Sequence, residues 1–180
     1  MSAETADFGA LKIFLCDVDG VLTNATVFLD GKTEFKRFNI QDGMGLRMLQ
    51  KFGVPVAWVS NRHSDATTAR AEELQVDYLW QESKPKVAAV ADILKQAGMN
   101  WDDACFMSDD INDLAVLTRV GLPIAVANAR TDVKTVAKYT TNAAGGEGAV
   151  REVCDAILRA KGQWGAVIER LKDPEGYREQ

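Results

Sequence analysis

The chain has 180 residues and a net charge of −5, from 21 Lys plus Arg against 26 Asp plus Glu, a length that suits one substantial core and leads us to expect a single domain. The acidic balance disfavours nucleic acid and anionic membrane surfaces as partners, while leaving room for a local cationic pocket around a small anion. The three cysteines, Cys16, Cys105 and Cys154, lie far apart in apolar segments and read as buried thiols, and one histidine argues against a zinc site.

In chain order, short apolar runs alternate with longer helical periodicities, the pattern of parallel strands joined by helical crossovers. The first strand is predicted at Leu11–Cys16 and ends in Asp17-Val18-Asp19-Gly20. Residues 24 to 39, NATVFLDGKTEFKRFN, read as two β runs around Asp30-Gly31, a hairpin that would project over the first strand's C-terminal edge. A helix follows at Met44–Phe52, with Asp42 ahead of it as a candidate cap. Further strands are predicted at Val54–Ser60, Asp77–Gln81, Ala104–Ser108, Gly121–Val126 and Lys138–Thr140. The intervening helices are expected at Asp65–Leu74, Pro85–Ala97, Ile111–Val120, Thr131–Ala137 and Glu147–Ala160, with an extension over Gln163–Leu171. Gly98 stands where a left-handed residue would end the third helix. Trp58 and Trp80 fall within strands and read as core residues. The tail from about residue 172 is polar, and no run approaches the roughly 18 apolar residues of a membrane span. The N-terminus lacks the apolar stretch of a signal peptide, so a single domain over 1–180 in a reducing cytoplasm is expected.

In an open parallel sheet, ligands bind at the carboxyl ends of the strands. Those ends carry Asp17 and Asp19, then Ser60-Asn61-Arg62, then Lys84-Pro85-Lys86, then Ser108-Asp109-Asp110 followed by Asn112-Asp113. Each group has a plain structural alternative: a turn-capping carboxylate, a strand-end hydroxyl, a solvated first-turn cation, or helix N-terminal charge. Their joint placement favours one site. Converging carboxylates require a cation, and an all-oxygen donor set suits Mg²⁺ with a substrate phosphate, Asp17 and Asp109 being the candidate ligands. A carboxylate such as Asp17 can attack phosphorus, Asp19 can shuttle the proton, and Ser60 and Lys86 can hold the transferred group's oxygens.

On these residues the chain resembles the haloacid dehalogenase superfamily, whose motifs match Asp17-Val18-Asp19-Gly20, Ser60, Lys86 and Ser108-Asp109-Asp110-Ile111-Asn112-Asp113. The resemblance implies an α/β Rossmannoid three-layer sandwich, with a parallel sheet of about six strands, a hairpin flap over about 24–39 and no separate cap domain. It implies Asp17 as nucleophile, Asp19 as acid/base, Ser60 and Lys86 on phosphate, and a Mg²⁺ set drawn from Asp17, Asp19, Asp109, Asp110 and Asp113, the last two through water. Lys86 is preferred to Lys84 because it directly precedes the run VAAVADIL.

The segments FNIQDGMGLRML, RAEELQVDYLWQ and AAGGEGAVREVCDAIL are similar to the small capless branch whose members act on the eight-carbon sugar acid 3-deoxy-D-manno-octulosonate (KDO) 8-phosphate. For that branch a cytoplasmic homotetramer is expected, with the flap and the C-terminal segment of a neighbour near each pocket. Asn61 and Ser108 stand where glycine is usual, and Glu147 where arginine is common. Phosphatases of nine-carbon sialic-type acids share GGEG, which keeps a nine-carbon 9-phosphate as an alternative substrate. A non-catalytic oligomerisation module is a further alternative. Asn61, Arg62 and Arg70 are the candidates to face the substrate, the arginines for its carboxylate; a surface ion pair with Glu72 or Glu73 is the other reading of Arg70. His63 reads as a loop residue.

Overall fold

A computed structural model describes residues 6–173. The elements are β1 (Ile13–Cys16), β2 (Phe28–Asp30), β3 (Thr33–Phe35), α1 (Ile40–Lys51), β4 (Val56–Ser60), α2 (Asp65–Glu73), β5 (Tyr78–Gln81) and α3 (Lys86–Ala97). They continue with β6 (Ala104–Ser108), α4 (Leu114–Leu117), β7 (Leu122–Ala125), α5 (Thr131–Val136), β8 (Tyr139–Thr140), α6 (Ala149–Ala160) and α7 (Trp164–Lys172). Six strands form one parallel sheet in the order β5-β4-β1-β6-β7-β8, and β2 and β3 form a separate antiparallel hairpin.

The sheet's four inner strands are buried at every position, as expected for a parallel sheet covered by helices on both faces. Chain connections leave β1 toward β4 on one side, then return to β6 on the other. This reversal makes the carboxyl end of β1 the topological switch point, where a crevice opens. Phe14, Phe106, Trp58 and Ile124 are fully buried in the core around it.

The strand expectations hold, with ends trimmed by up to two residues, and the hairpin forms around Asp30-Gly31 but pairs only over Phe28–Asp30 and Thr33–Phe35, four residues short of the expected 24–39 at each end. Two helices differ. α1 starts earlier than expected, at Ile40, because the Asn39 side chain accepts a hydrogen bond from Gln41 N (2.8 Å) and caps it there. The helix expected over Ile111–Val120 is instead a 3₁₀ turn, Ile111–Asp113, followed by the short α4; the Asp110 side chain accepts from Ile111 N (2.7 Å) and starts that tighter turn. The polar tail lies, beyond Asp173, outside the described residues.

Asp42 caps a helix other than α1. α6 begins at Gly148 without a side-chain cap of its own, and the buried Asp42 carboxylate, presented by α1, accepts from Arg151 N (2.8 Å) and Gly148 N. One helix thus lends an N-cap to another that packs along it. Burial pushes the Asp42 carboxyl up to about 6, against the pull of those backbone N–H groups. The chain ahead of α6 reaches back to the switch point: Gly146 N donates to Val21 O (2.9 Å), and a Cβ at Gly145 would overlap the Gly20 carbonyl, so only glycine fits there.

Candidate active site

Asp17 leaves β1 directly into the crevice and is almost fully buried. One oxygen accepts from Val18 N (2.6 Å), and the other lies 2.7 Å from the Lys86 ammonium. Lys86 is the first residue of α3, positioned by Pro85 at the helix N-cap. The same ammonium lies 2.7 Å from Asp113 Oδ1, and the other Asp113 oxygen accepts from the Ser108 hydroxyl (2.8 Å). Ser108, one of the departures noted in the sequence, therefore anchors Asp113. Burial opposes the charge on Lys86, yet Asp17 and Asp113 outweigh it and hold the ammonium's pKa above its ordinary value.

Asp109 approaches from the end of β6 against Gly20. A Cβ at Gly20 would overlap the Asp109 carboxylate, and its φ of +89° is itself one that glycine adopts without strain. Burial pushes Asp109 up to about 6, with Asp17 and Asp110 adding to the rise. Burial likewise pushes Asp17 up to about 7, against the pull of Lys86. Fully ionised, Asp17, Asp109 and Asp113 would outweigh the single ammonium of Lys86 by two charges, and the raised carboxyl pKa values show what that excess costs with no further cation beside them. That charge and the oxygen-only donors suit a hard divalent cation such as Mg²⁺, which takes one or two carboxylates and keeps several waters.

Of the five aspartates expected around a metal, Asp17, Asp19, Asp109 and Asp110 line one cleft, and Asp17 and Asp109 approach each other most directly from the ends of β1 and β6. Asp113 faces Lys86 and Ser108, and an Asp110 oxygen is committed to Ile111 N. Asp19 is held by Lys36 of the hairpin, whose ammonium lies 2.8 Å and 3.1 Å from its two oxygens. Among the described residues, no three His, Cys, Asp or Glu side chains gather as a ready metal cage.

A cleft of ≈ 300 Å³ is lined by Asp17, Asp19, Ser60, Arg62, Lys86 and Asp109, joined by Asn61, Asp110, Asn112 and Ala25. The Ser60 hydroxyl is held in place by Arg62, accepting from its N–H and donating to its C=O (both 3.1 Å). The Arg62 guanidinium pairs with Glu34 of the hairpin. Arg70 does not join this cleft. It pairs with Glu73 (2.7 Å), as its alternative reading anticipated, and lines a separate groove beside α1 with Arg47 and Arg151. Glu147 does not line the cleft either; it pairs with Arg37, so its charge is met outside the pocket. His63 stands on an exposed loop near Asp65. Lys36 was not singled out in the sequence, where it lies between Phe35 and Arg37 with no motif around it.

Residues 58–153 match the family model of the haloacid dehalogenase-like hydrolases. The chain belongs to that family of enzymes. It is 34% identical over 154 residues to the 3-deoxy-D-manno-octulosonate 8-phosphate phosphatase of Escherichia coli (strain K12), covering 85% of this chain and 82% of that one. A crystal structure of the Moraxella catarrhalis phosphatase of that name, in complex with magnesium ion, phosphate ion and KDO, superposes with a TM-score of 0.88 at 33% identity, covering 92% of this chain and 95% of that one. A Legionella pneumophila hydrolase of subfamily III A superposes with a TM-score of 0.88 at 35% identity, covering 97% and 93%. No described helix is long and apolar enough to cross a membrane.

Proposed function

We propose that the chain is a Mg²⁺-dependent phosphomonoesterase that hydrolyses 3-deoxy-D-manno-octulosonate 8-phosphate to KDO and phosphate, a step toward lipopolysaccharide precursors in the cytoplasm. The observation that carries this reading is the buried Asp17–Lys86–Asp113 triangle with Asp109 across Gly20, at the mouth of a cleft. Fully ionised, its excess of two negative charges fits a divalent cation held by Asp17 and Asp109. Bound there, Mg²⁺ would shield the nucleophile from the phosphate's charge and polarise a phosphoryl oxygen.

Asp17 attacks phosphorus while the ester P–O bond breaks, giving an aspartyl-phosphate, and Asp19 hands its proton to the departing sugar oxygen. Water then attacks the same phosphorus, Asp19 takes a proton from it, and Asp17 is released with inorganic phosphate. Lys86 and Ser60 hold the phosphoryl oxygens through both transfers, with Asp113 keeping the Lys86 ammonium in register. Arg62 offers a guanidinium to the substrate carboxylate at the cleft wall.

The engagement of Glu147 by Arg37 weakens the one feature shared with nine-carbon phosphatases, and the names of the relatives favour the eight-carbon acid. A homotetramer, the assembly expected from the resemblance, is supported by the hairpin only so far as Phe28, Leu29 and Phe35 are 61%, 73% and 55% exposed and a second copy would cover them. The test is phosphate release from KDO 8-phosphate and from a nine-carbon acid 9-phosphate, with Mg²⁺ and after chelation. The reading predicts a higher kcat/KM for the eight-carbon ester and loss of turnover on chelation. Turnover of neither ester, or turnover indifferent to chelation, would overturn it.

A further inference from the structure

Lys36 follows β3, and its side chain is fully buried, 0% exposed. An ammonium carries three N–H donors and no acceptor, so burying it requires acceptors on several sides. Asp19 supplies both oxygens at 2.8 Å and 3.1 Å, Thr67 Oγ1 of α2 lies at 3.1 Å, and Glu34 Oε1 of β3 at 3.6 Å. Glu34 is in turn held by the Ser64 hydroxyl (2.7 Å) and paired with Arg62, and Ser64 caps α2. The loop after β1, the hairpin and the start of α2 thus converge on one buried cation.

This solves a problem posed by Asp17-Val18-Asp19, where two carboxylates two positions apart repel. Each has its own lysine: Lys86 from α3 for Asp17, and Lys36 from the hairpin for Asp19. The Asp19 side chain is partly open to the cleft and would otherwise swing among rotamers away from its neighbour's charge. We propose that Lys36 is a positioning residue for proton transfer: it fixes the Asp19 carboxylate in the orientation that serves the leaving oxygen, so docking of the hairpin and readiness of the acid/base are one event. Lys36 keeps its own protons; the proton moves from Asp19 to the sugar oxygen as the ester bond breaks, and from water to Asp19 as the aspartyl-phosphate is hydrolysed. The inference rests on the assignment of Asp19 as the acid/base.

Leaving-group dependence isolates this role from a merely structural one, because a nitrophenolate departs without needing a proton and a sugar alkoxide does not. The Mg²⁺-loaded full chain and its Lys36→Met, Lys36→Arg and Asp19→Asn variants are assayed on KDO 8-phosphate and on p-nitrophenyl phosphate. Lys36→Met is expected to lower kcat on the sugar ester by about 100-fold and on the aryl ester by under about tenfold, with KM little changed and Lys36→Arg recovering most of the loss. Equal losses on both esters, including complete loss, or no loss on either, would overturn the role of Lys36. Asp19→Asn must show the same asymmetry; if it does not, the acid/base assignment falls, and the inference with it. If Asp19→Asn shows the asymmetry and Lys36→Met does not, only the inference falls.

Discussion

The strand ends and the hairpin meet at Asp19, but they are held by different forces. At the strand ends, Asp17, Ser60, Lys86, Ser108 and Asp113 are all buried, and their charges are fixed by a closed core beneath them. In the hairpin, every residue of β2 is exposed and β3 is little better covered, so its placement depends on polar latches: Lys36 to Asp19, Glu34 to Ser64 and Arg62, and Arg37 to Glu147. An isolated two-stranded hairpin is marginal in water, so these latches decide where it sits. The difference teaches that the side chains at the strand ends are preorganised by folding itself, while Asp19, the proposed acid/base, depends on a feature that is only docked.

Removing a charge from the strand ends should have the larger effect. Asp113→Ala leaves the buried Lys86 ammonium with one carboxylate fewer and strips Ser108 of its acceptor, and should cost roughly 3 kcal/mol in urea unfolding, since breaking a buried pair from one side strands its partner. A loss of under about 1 kcal/mol, the size seen for exposed pairs, would mean that the two regions are held alike.

A smaller, pH-dependent effect should come from Asp42, which ties α1 to α6 and so to the glycine loop packed on Gly20. Its folded-state pKa of about 6 lies above the ordinary 3.8, so the folded chain binds the proton more tightly than the unfolded one. Stability from this group is full below about pH 4 and is lost as pH rises through about 6, a change of ~3 kcal/mol at 1.36 kcal/mol per unit. Asp42→Asn, which keeps an acceptor oxygen for the α6 cap, should remove that part of the slope. Unfolding midpoints of wild type and variant, compared at pH 4 and pH 7.5, check this; parallel slopes would contradict the burial argument.

The sheet was legible because its buried strands read as β-branched apolar runs, and Asp17, Lys86 and Asp109 were legible because chemistry confines such residues to strand ends. What was not legible depends on long-range packing. Asp42 looks like a cap for the helix it sits in, and its partner Arg151 is 109 positions away. Asp113 looks like one more carboxylate in an acidic run, and its contacts to Lys86 and Ser108 appear only in the fold. Lys36 looks like a solvated strand cation, and only the docking of the hairpin buries it. Arg70 shares helical spacing with Glu73, and that local pair is the one the fold forms.

The central claim is that Asp17, held by Lys86 at the end of β1, is the group that takes the phosphoryl. The most direct measurement is phosphate release from KDO 8-phosphate with Mg²⁺ by wild type and Asp17→Asn, with circular dichroism confirming that the variant is folded. The account predicts steady turnover by the wild type and release at background by folded Asp17→Asn; turnover by Asp17→Asn at the wild-type rate would contradict it.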